Sequence, residues 1–401
     1  MGLGFGLVRG AVRVMSQAET LFETAFGSYR LTRLPARRRE LLRAWDAADE
    51  YLLDTVAEEV KPGTQSRILV LNDSFGALAV ALHEFAVWSL SDSVLAHEAT
   101  RQNYSANGFS TERLKLLTSL DVPAESPSLV LIRAPKTLAL LEYQLTRLRP
   151  LFSAQTTVIV AGMVKNMQPG LWKLLEKVLG PTRTSLARKK ARLIRVSFDP
   201  DLVVPENPYP TRYILENTGF RITNHANVFS RAKLDIGTRF FLQHLPPCPP
   251  AGNIIDLGCG NGVLALMMLQ DCPGSRVHCV DESYMAVASA RETLQDAFGQ
   301  TVSASFHAAW NLSGFDAGSA ALVLCNPPFH QQHIVGDQIA TAMFRDARRV
   351  LAEGGELWVV GNRHLGYHKT LKRLFGNAEL VASSPKFIIL RAVRRKVLDH
   401  H

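Results

Sequence analysis

The sequence predicts an α/β chain of two tandem doubly wound, Rossmann-like parallel sheets, the first a degenerate copy of the second. Three observations predict it. Each half alternates short apolar runs with helical patterns, the signature of a parallel sheet covered on both faces. The order of features in residues 67–162 recurs in residues 253–361. The chain has 401 residues and 47% hydrophobic content, enough for two cores.

In the first copy, Arg67 to Leu71 reads as a buried strand, and Asn72-Asp73-Ser74-Phe75-Gly76 as a turn opening a helix at Ala77. A second strand, Ala86 to Leu90, ends at Ser91-Asp92-Ser93. Leu129 to Ile132 is a third, tipped by Arg133-Ala134-Pro135, and Thr157 to Gly162 a fourth. Residues 1–200 hold 26 Lys+Arg and 19 Asp+Glu, so they carry +7 of the formal +9. The basic groups gather at Arg37 to Arg39, Arg147 to Arg149 and Arg183 to Arg195, with Arg188, Lys189 and Lys190 adjacent. A phosphate-binding surface and a set of solvated faces both fit that charge.

A proline-rich linker follows at Pro200 to Pro210, then a hairpin over Thr211 to Glu216 and Gly219 to Asn224. In the segment Asn227 to Arg239, Ser230 is placed to cap a short helix. The second copy opens with the strand Asn253 to Leu257, running into Gly258-Cys259-Gly260-Asn261-Gly262 and a helix. Glycines permit positive φ and close approach of a ligand, and the helix start offers N–H groups to a carboxylate. The Gly-x-Gly-x-x-Gly spacing of a dinucleotide turn is not matched. The next strand, Ser275 to Val280, ends at Asp281-Glu282, where an acid suits ribose hydroxyls or a helix cap with Ser283. Val302 to Phe306 is a further strand, with Ala309 and Trp310 beyond it to flank a base or fill the core.

Ala320 to Cys325 is a buried strand ending in Asn326-Pro327-Pro328-Phe329. Such a tip can hold a planar group bearing an amine. The ring supplies a stacking face, and the Asn326 side-chain oxygen and the Pro327 carbonyl accept from the nitrogen. That offsets the positive charge developing as the nitrogen attacks an electrophile. In the first copy Asn72, Ser74 and Arg133 stand where Gly258, Gly260 and Asn326 do. A cofactor is therefore not expected there. His330 and His333 have no third ligand of matching spacing, so no metal is expected.

The five cysteines, Cys248, Cys259, Cys272, Cys279 and Cys325, form no Cys-x-x-Cys pair. Reduced thiols in a cytoplasmic protein are expected. No apolar run approaches the ~18 residues of a membrane span, and the start lacks a signal-peptide cleavage pattern.

Asp256, the glycines, Asp281 and the Asn-Pro-Pro-Phe tip, in that order on successive strands, resemble a class I S-adenosylmethionine-dependent methyltransferase. With Ala226 to Arg231, Leu234 to Gly237 and Cys325 to His333, the chain is similar to the paired-domain ribosomal RNA guanine-N2 methyltransferases. Ala44 to Leu53, Leu71 to Ala77, Glu176 to Pro181 and Lys189 to Leu193 are closer to the large-subunit type than to the small-subunit type. The resemblance covers roughly residues 15 to 395. It implies two class I methyltransferase folds: a degenerate, RNA-holding one over 15–200 and a catalytic one over 226–395, joined by a linker and hairpin over 201–225. Residues 1–14 are expected to be an extension, with Met15 the natural initiator, and 396–401 a tail.

The implied reaction is methylation of a guanine N2 in 23S rRNA, free or in an incomplete subunit, with S-adenosylmethionine as cofactor and neither metal nor membrane as partner. Asn326, Pro327 and Phe329 would be catalytic. Phe229, Asp235, Asp256, Gly258, Gly260, Gly262, Asp281 and Ala309 would hold the cofactor, and Arg188, Lys189 and Lys190 the RNA. A 16S rRNA guanine, a protein glutamine, a DNA amine and a non-catalytic RNA-binding role remain as alternatives.

Overall fold

The computed structural model describes residues 19–36, 40–250, 252–328 and 333–395. Residues 1–14 and 396–401, Arg37 to Arg39, Phe329, His330 and the side chain of His333 lie outside the description. Among the described residues, β1 (Leu21–Thr24) and β2 (Gly27–Arg30) form a hairpin, followed by α1 (Ala47–Thr55). The first sheet arises from β3 (Arg67–Leu71), α2 (Ala77–Ala81), β4 (Ala86–Ser91), α3 (Val94–Ala106), β5 (Leu114–Thr118), β6 (Leu129–Arg133), α4 (Leu138–Leu148), β7 (Thr157–Met163), α5 (Gly170–Val178), β8 (Thr182–Thr184) and β9 (Ala191–Val196). The expected hairpin, β10 (Thr211–Ile214) with β11 (Arg221–Asn224), and α6 (Ile236–Leu242) lead to the second sheet. That sheet comprises β12 (Asn253–Leu257), α7 (Val263–Asp271), β13 (Arg276–Asp281), α8 (Tyr284–Phe298), β14 (Ala304–Ala308), β15 (Ala320–Cys325), α9 (His333–Val350), β16 (Leu351–Asn362), α10 (Tyr367–Phe375), β17 (Glu379–Ser383) and β18 (Phe387–Val393).

The strand orders are β5-β4-β3-β6-β7-β9-β8 and β14-β13-β12-β15-β16-β18-β17, one order used twice. The first five strands of each order pair in parallel, and the last two pairings are antiparallel because β9 and β18 run against the rest. The central runs Ile68 to Leu71 and Ile254 to Leu257 are buried because helices cover both faces. The copies match in detail at the turn after their first strand. Gly76 and Gly262 both adopt a left-handed φ (+79° and +78°) at the start of a helix. An added Cβ would lie 2.8 Å from the Thr100 Cα and 2.9 Å from the Ala290 Cα, so each turn is pressed onto the backbone of the following helix.

The copies dock through the tips of their second strands. Val94 N donates to Glu282 O and Tyr284 N to Asp92 O, at 3.0 and 3.1 Å. Asp92 also accepts from Asn227 Nδ2 and Met285 N, 2.8 and 2.9 Å away. Leu140 and Tyr143 of the first copy pack with Ala226 and Met285 beside these bonds. Among the described residues no helix is long and apolar enough to cross a membrane.

Four expectations need correction. Ser230 does not cap a helix. It has φ +56° and its hydroxyl donates to Lys233 O, while Asp235 caps α6 by accepting from Thr238 N. The strand expected over Val302 to Phe306 is β14, two residues later, because its register is set by pairing Val277 with Ala304 and Asp281 with Ala308. Cys248 and Cys272 are disulfide-bonded, with Cα atoms 5.6 Å apart, whereas Cys259, Cys279 and Cys325 are free and buried. The lead-in to β12 and the end of α7 bring that pair together, a proximity their 24-residue separation does not reveal. Trp310 is not a core aromatic: its indole is half-buried, and Nε1 donates to Glu98 of the first copy at 2.6 Å.

Candidate active site

The carboxyl ends of β12, β13, β14 and β15 converge on the glycine turn. Gly258 N and Cys259 N both donate to Val280 O, at 2.8 and 3.1 Å, which folds the turn back over β13. Gly260 N donates to Asp281 Oδ2 and Ser283 N to Asp281 Oδ1, each at 2.9 Å. Asp281 thus ties the turn to the start of α8, and its oxygens keep lone pairs for further donors. Burial pushes its carboxyl up.

Gly258, Gly260 and Gly262 all have positive φ, but they meet different surroundings. An added Cβ on Gly260 would meet nothing within 4 Å, so the turn is open there. One on Gly258 would lie 3.5 Å from Met343 Cε and 3.7 Å from Asn326 O, which puts the turn against the Asn-Pro-Pro tip.

Asp256 is fully buried beneath this turn. Its Oδ2 accepts from Ala265 N at 3.2 Å, joining β12 to α7, and Oδ1 has no partner among the described residues. Burial pushes the carboxyl up to about 7.

The Asn326 amide is held in one orientation. Its Nδ2 donates to Thr238 Oγ1 at 3.0 Å. Thr238 Oγ1 donates to Asp235 Oδ2 at 3.3 Å, and Thr238 N to the same oxygen at 2.9 Å. The hydroxyl proton is therefore committed to the carboxylate, and the hydroxyl can only accept from the amide. Asn326 Oδ1, buried and unpartnered, is left as the acceptor at the tip of β15.

Pro327 beside it is buried. Thr238 was not singled out in the sequence, because its role comes from the distant Asn326 amide and not from a local pattern. Asp235 reaches the site through Thr238 and Asn326. Ala309 lies next to Asp281, its N donating to Asp281 O at 2.8 Å. Phe229 is 56% exposed on the turns before α6.

In the first copy the corresponding space is filled. Asn72 Nδ2 donates to Gln144 Oε1 and Gln144 Nε2 to Asn72 Oδ1, both at 2.9 Å, so an amide pair occupies the place beside Gly258. The Asp73 carboxylate accepts from Gly76, Ala77, Leu78 and Ala79 N at 2.8–3.2 Å and takes up the donors of the helix start. Arg133, at the place of Asn326, reaches Asp46 Oδ2 at 2.9 Å and Asp49 Oδ1 at 2.7 Å. Ser91, where Asp281 would be, offers a hydroxyl to Ser93 N.

The basic run 188–190 is the turn of a hairpin, not a helix face. Lys189 and Lys190 have φ +48° and +66°, and Arg188 and Ala191 exchange backbone hydrogen bonds. Arg188 pairs with Asp54 and Lys189 with Glu50, each at 2.8 Å, and Lys190 is exposed.

Residues 19–200 match the RLMG N-terminal domain family, and residues 219–391 the methyltransferase small domain family. The chain is 50% identical to the ribosomal RNA large subunit methyltransferase G of Streptomyces avermitilis, over 93% of this chain and 98% of that protein. The chain belongs to the ribosomal RNA large subunit methyltransferase G family. Family members of the same name from Stutzerimonas stutzeri and Aeromonas salmonicida are 48% and 49% identical, over 93% and 94% of this chain and 99% and 100% of theirs. The paired-sheet architecture of the family member also matches the solved structure of the T. thermophilus 16S rRNA N2 G1207 methyltransferase (RsmC) in complex with AdoMet and guanosine. The TM-score is 0.72 at 19% identity, covering 94% of this chain and 98% of that one. At that identity the match establishes the fold.

Proposed function

We propose that this chain transfers a methyl group from S-adenosylmethionine to the exocyclic N2 of a guanine in 23S rRNA. The observation that carries this reading is the Asn326 amide, oriented by Thr238 so that its buried, unpartnered oxygen is left as an acceptor beside the glycine turn. The family members named above supply the rRNA class. A cytoplasmic setting and free or partly assembled 23S rRNA as substrate accord with it. Residues 226–395 would form the catalytic unit and 15–200 the degenerate, RNA-holding one.

The residues fit the cofactor. The open backbone at Gly260, with Gly258 and Gly262, would admit its carboxylate end, Asp281 its ribose, and Ala309 would border its adenine. Asp256 would hold the turn in shape from below, and Phe229 and Asp235 lie on the segment before α6. When bound, S-adenosylmethionine supplies an electrophilic methyl on a sulfonium.

The guanine amine is not basic, because its lone pair is delocalised into the ring, so orientation matters more than a general base. Asn326 Oδ1 and the Pro327 carbonyl would accept hydrogen bonds from its two N–H groups and offset the charge developing on nitrogen, and the proton lost on methylation would pass to water as S-adenosylhomocysteine leaves. Phe329, outside the described residues, would stack the base, worth ~1–3 kcal/mol. A base taken from a duplex costs a few kcal/mol by rough estimate.

The test is mass spectrometry of nucleosides from 23S and 16S rRNA of a deletion strain, with methyl transfer by the purified chain to each naked RNA. Loss of N2-methylguanosine from 23S rRNA, restored by the purified chain, is expected. An intact 23S pattern, with methylation of 16S rRNA or of a protein glutamine instead, would overturn the assignment.

A further inference from the structure

We propose that the carboxyl end of β16 is a second RNA subsite, which grips the ribose-phosphate backbone next to the target base. This rests on the rRNA reading above and names a part of the site that reading leaves open. Asn362, Arg363, His364, Pro385 and Lys386 line an open cleft of about 530 Å³. β16 is the parallel neighbour of β15, with Val359 opposite Cys325. Asn362 therefore stands roughly 8 Å from Asn326, given the spacing of adjacent strands and the rise per residue. That is comparable to one nucleotide step.

The two positions are also joined through packing. Lys386 Nζ lies 5.2 Å from the centre of the Phe387 ring. The same ring lies where a Cβ on Gly237 would fall, at 3.1 Å, next to the Thr238 that orients Asn326.

The chemistry of the cleft is mixed in an informative way. Arg363 and Lys386 suit a phosphodiester. Arg363 Nη1 makes a 3.3 Å bond to Ser384 O. Asn362 Oδ1 is buried with no partner among the described residues, and a buried acceptor left unpaired is costly. A phosphate has only acceptors and cannot satisfy it, whereas a ribose 2′-hydroxyl can donate. A cation pair beside an unpaired acceptor is the complement of an RNA nucleotide.

The first copy provides an internal control. Val164 N donates to Lys190 O at 2.9 Å, as Arg363 N does to Lys386 O at 3.1 Å. Met163 pairs with Ala191 as Asn362 pairs with Phe387. Met163 and Val164 thus hold the places of Asn362 and Arg363. The fold accepts apolar side chains there, and the amide and guanidinium occur in the copy that carries Asn326.

The full-length chain with Arg363→Ala and Lys386→Ala together should raise KM for 23S rRNA at least about tenfold. It should also flatten the dependence of log affinity on log salt by about two units, one per lost phosphate contact. Binding of S-adenosylhomocysteine, followed by calorimetry, should not change, which verifies the fold. Arg363→Lys should recover most of the affinity. Asn362→Ala should reduce, by about tenfold, the preference for a ribose over a 2′-deoxyribose at the nucleotide flanking the target, the value of one hydrogen bond. Unchanged KM and salt slope in an active background would overturn the subsite. Failure of the wild-type chain to methylate rRNA would instead overturn the functional reading beneath it.

Discussion

Ser93 and Ser283 face each other across the junction of the two copies in an isolated antiparallel bridge. Each caps its own helix: Ser93 Oγ accepts from Ala96 N at 3.0 Å and Ser283 Oγ from Ala286 N at 3.1 Å. Each also donates to the acid beside the other, Ser93 to Glu282 and Ser283 to Asp92. The contact is thus two-fold in character, although the copies differ in sequence. It places the degenerate copy directly behind Asp281, so the first copy braces the strand tip assigned to the ribose.

That junction should respond to pH. Desolvation pushes Glu282 up from 4.5 to about 7 and Asp92 up from 3.8 to about 6. An acid whose folded pKa is raised binds more protons folded than unfolded between the two values. Its contribution to stability therefore falls as pH rises from about 4.5 to 7. Glu282→Gln keeps an acceptor for Ser93 and removes the titration. It should be more stable than wild type at pH 8, by up to about 2 kcal/mol after allowing for partial exposure. That advantage should vanish near pH 5. Urea unfolding at both pH values reads it, and a difference independent of pH would contradict the assignment.

The amide clamp makes a graded prediction. Asn326→Ala should lower kcat by ~10²–10³-fold with the affinity for S-adenosylmethionine retained. Thr238→Val removes the acceptor that orients the amide, and Thr238→Ser keeps it. The valine variant should lose roughly tenfold in kcat, about the value of one hydrogen bond, and the serine variant little. Wild-type turnover in both Asn326→Ala and Thr238→Val would remove the clamp from the mechanism.

The fold class, the paired copies, the glycine turn and the Asn326 tip were legible because they depend on local pattern: apolar runs, glycines at a strand end, polar tips. What was not legible depends on pairs distant in sequence. Thr238 acquires its role from Asn326, 88 residues away. The disulfide requires α7 to return to the lead-in of β12. Arg133 was placed opposite Asn326 from the repeat alone, but its partners Asp46 and Asp49 lie 87 and 84 residues earlier. Ser230 and Asp235 are both good caps. Tertiary packing chose the one followed by Thr238.

The filled first copy should bind no cofactor. Calorimetry on the full chain is expected to give one S-adenosylmethionine per chain, and Asp281→Ala should abolish it while Ser91→Ala leaves it intact. Arg133→Ala should leave binding intact but destabilise the fold by about 3–5 kcal/mol, because Asp46 and buried Asp49 would lose their counter-charge. Two equivalents bound would show the first copy to be open.

The basic turn at Arg188, Lys189 and Lys190 separates two sources of RNA affinity. Its ion pairs to Asp54 and Glu50 involve cations with half or more of the side chain exposed, so each is worth ~0–1 kcal/mol and can be exchanged for a phosphate. Replacing all three by Ala should hardly change thermal stability. If they hold RNA, affinity should fall across sequences and the salt slope should flatten by about one unit per lost contact. Cofactor binding should not change, since the turn lies on the first copy. Because the cleft at Arg363 and Lys386 lies beside Asn326, its loss should raise KM most for RNA containing the target. Loss of the turn should weaken any RNA alike. Salt-dependence curves of the triple variant that superimpose on wild type would leave the turn as a brace for α1 and put the phosphate grip in the second copy.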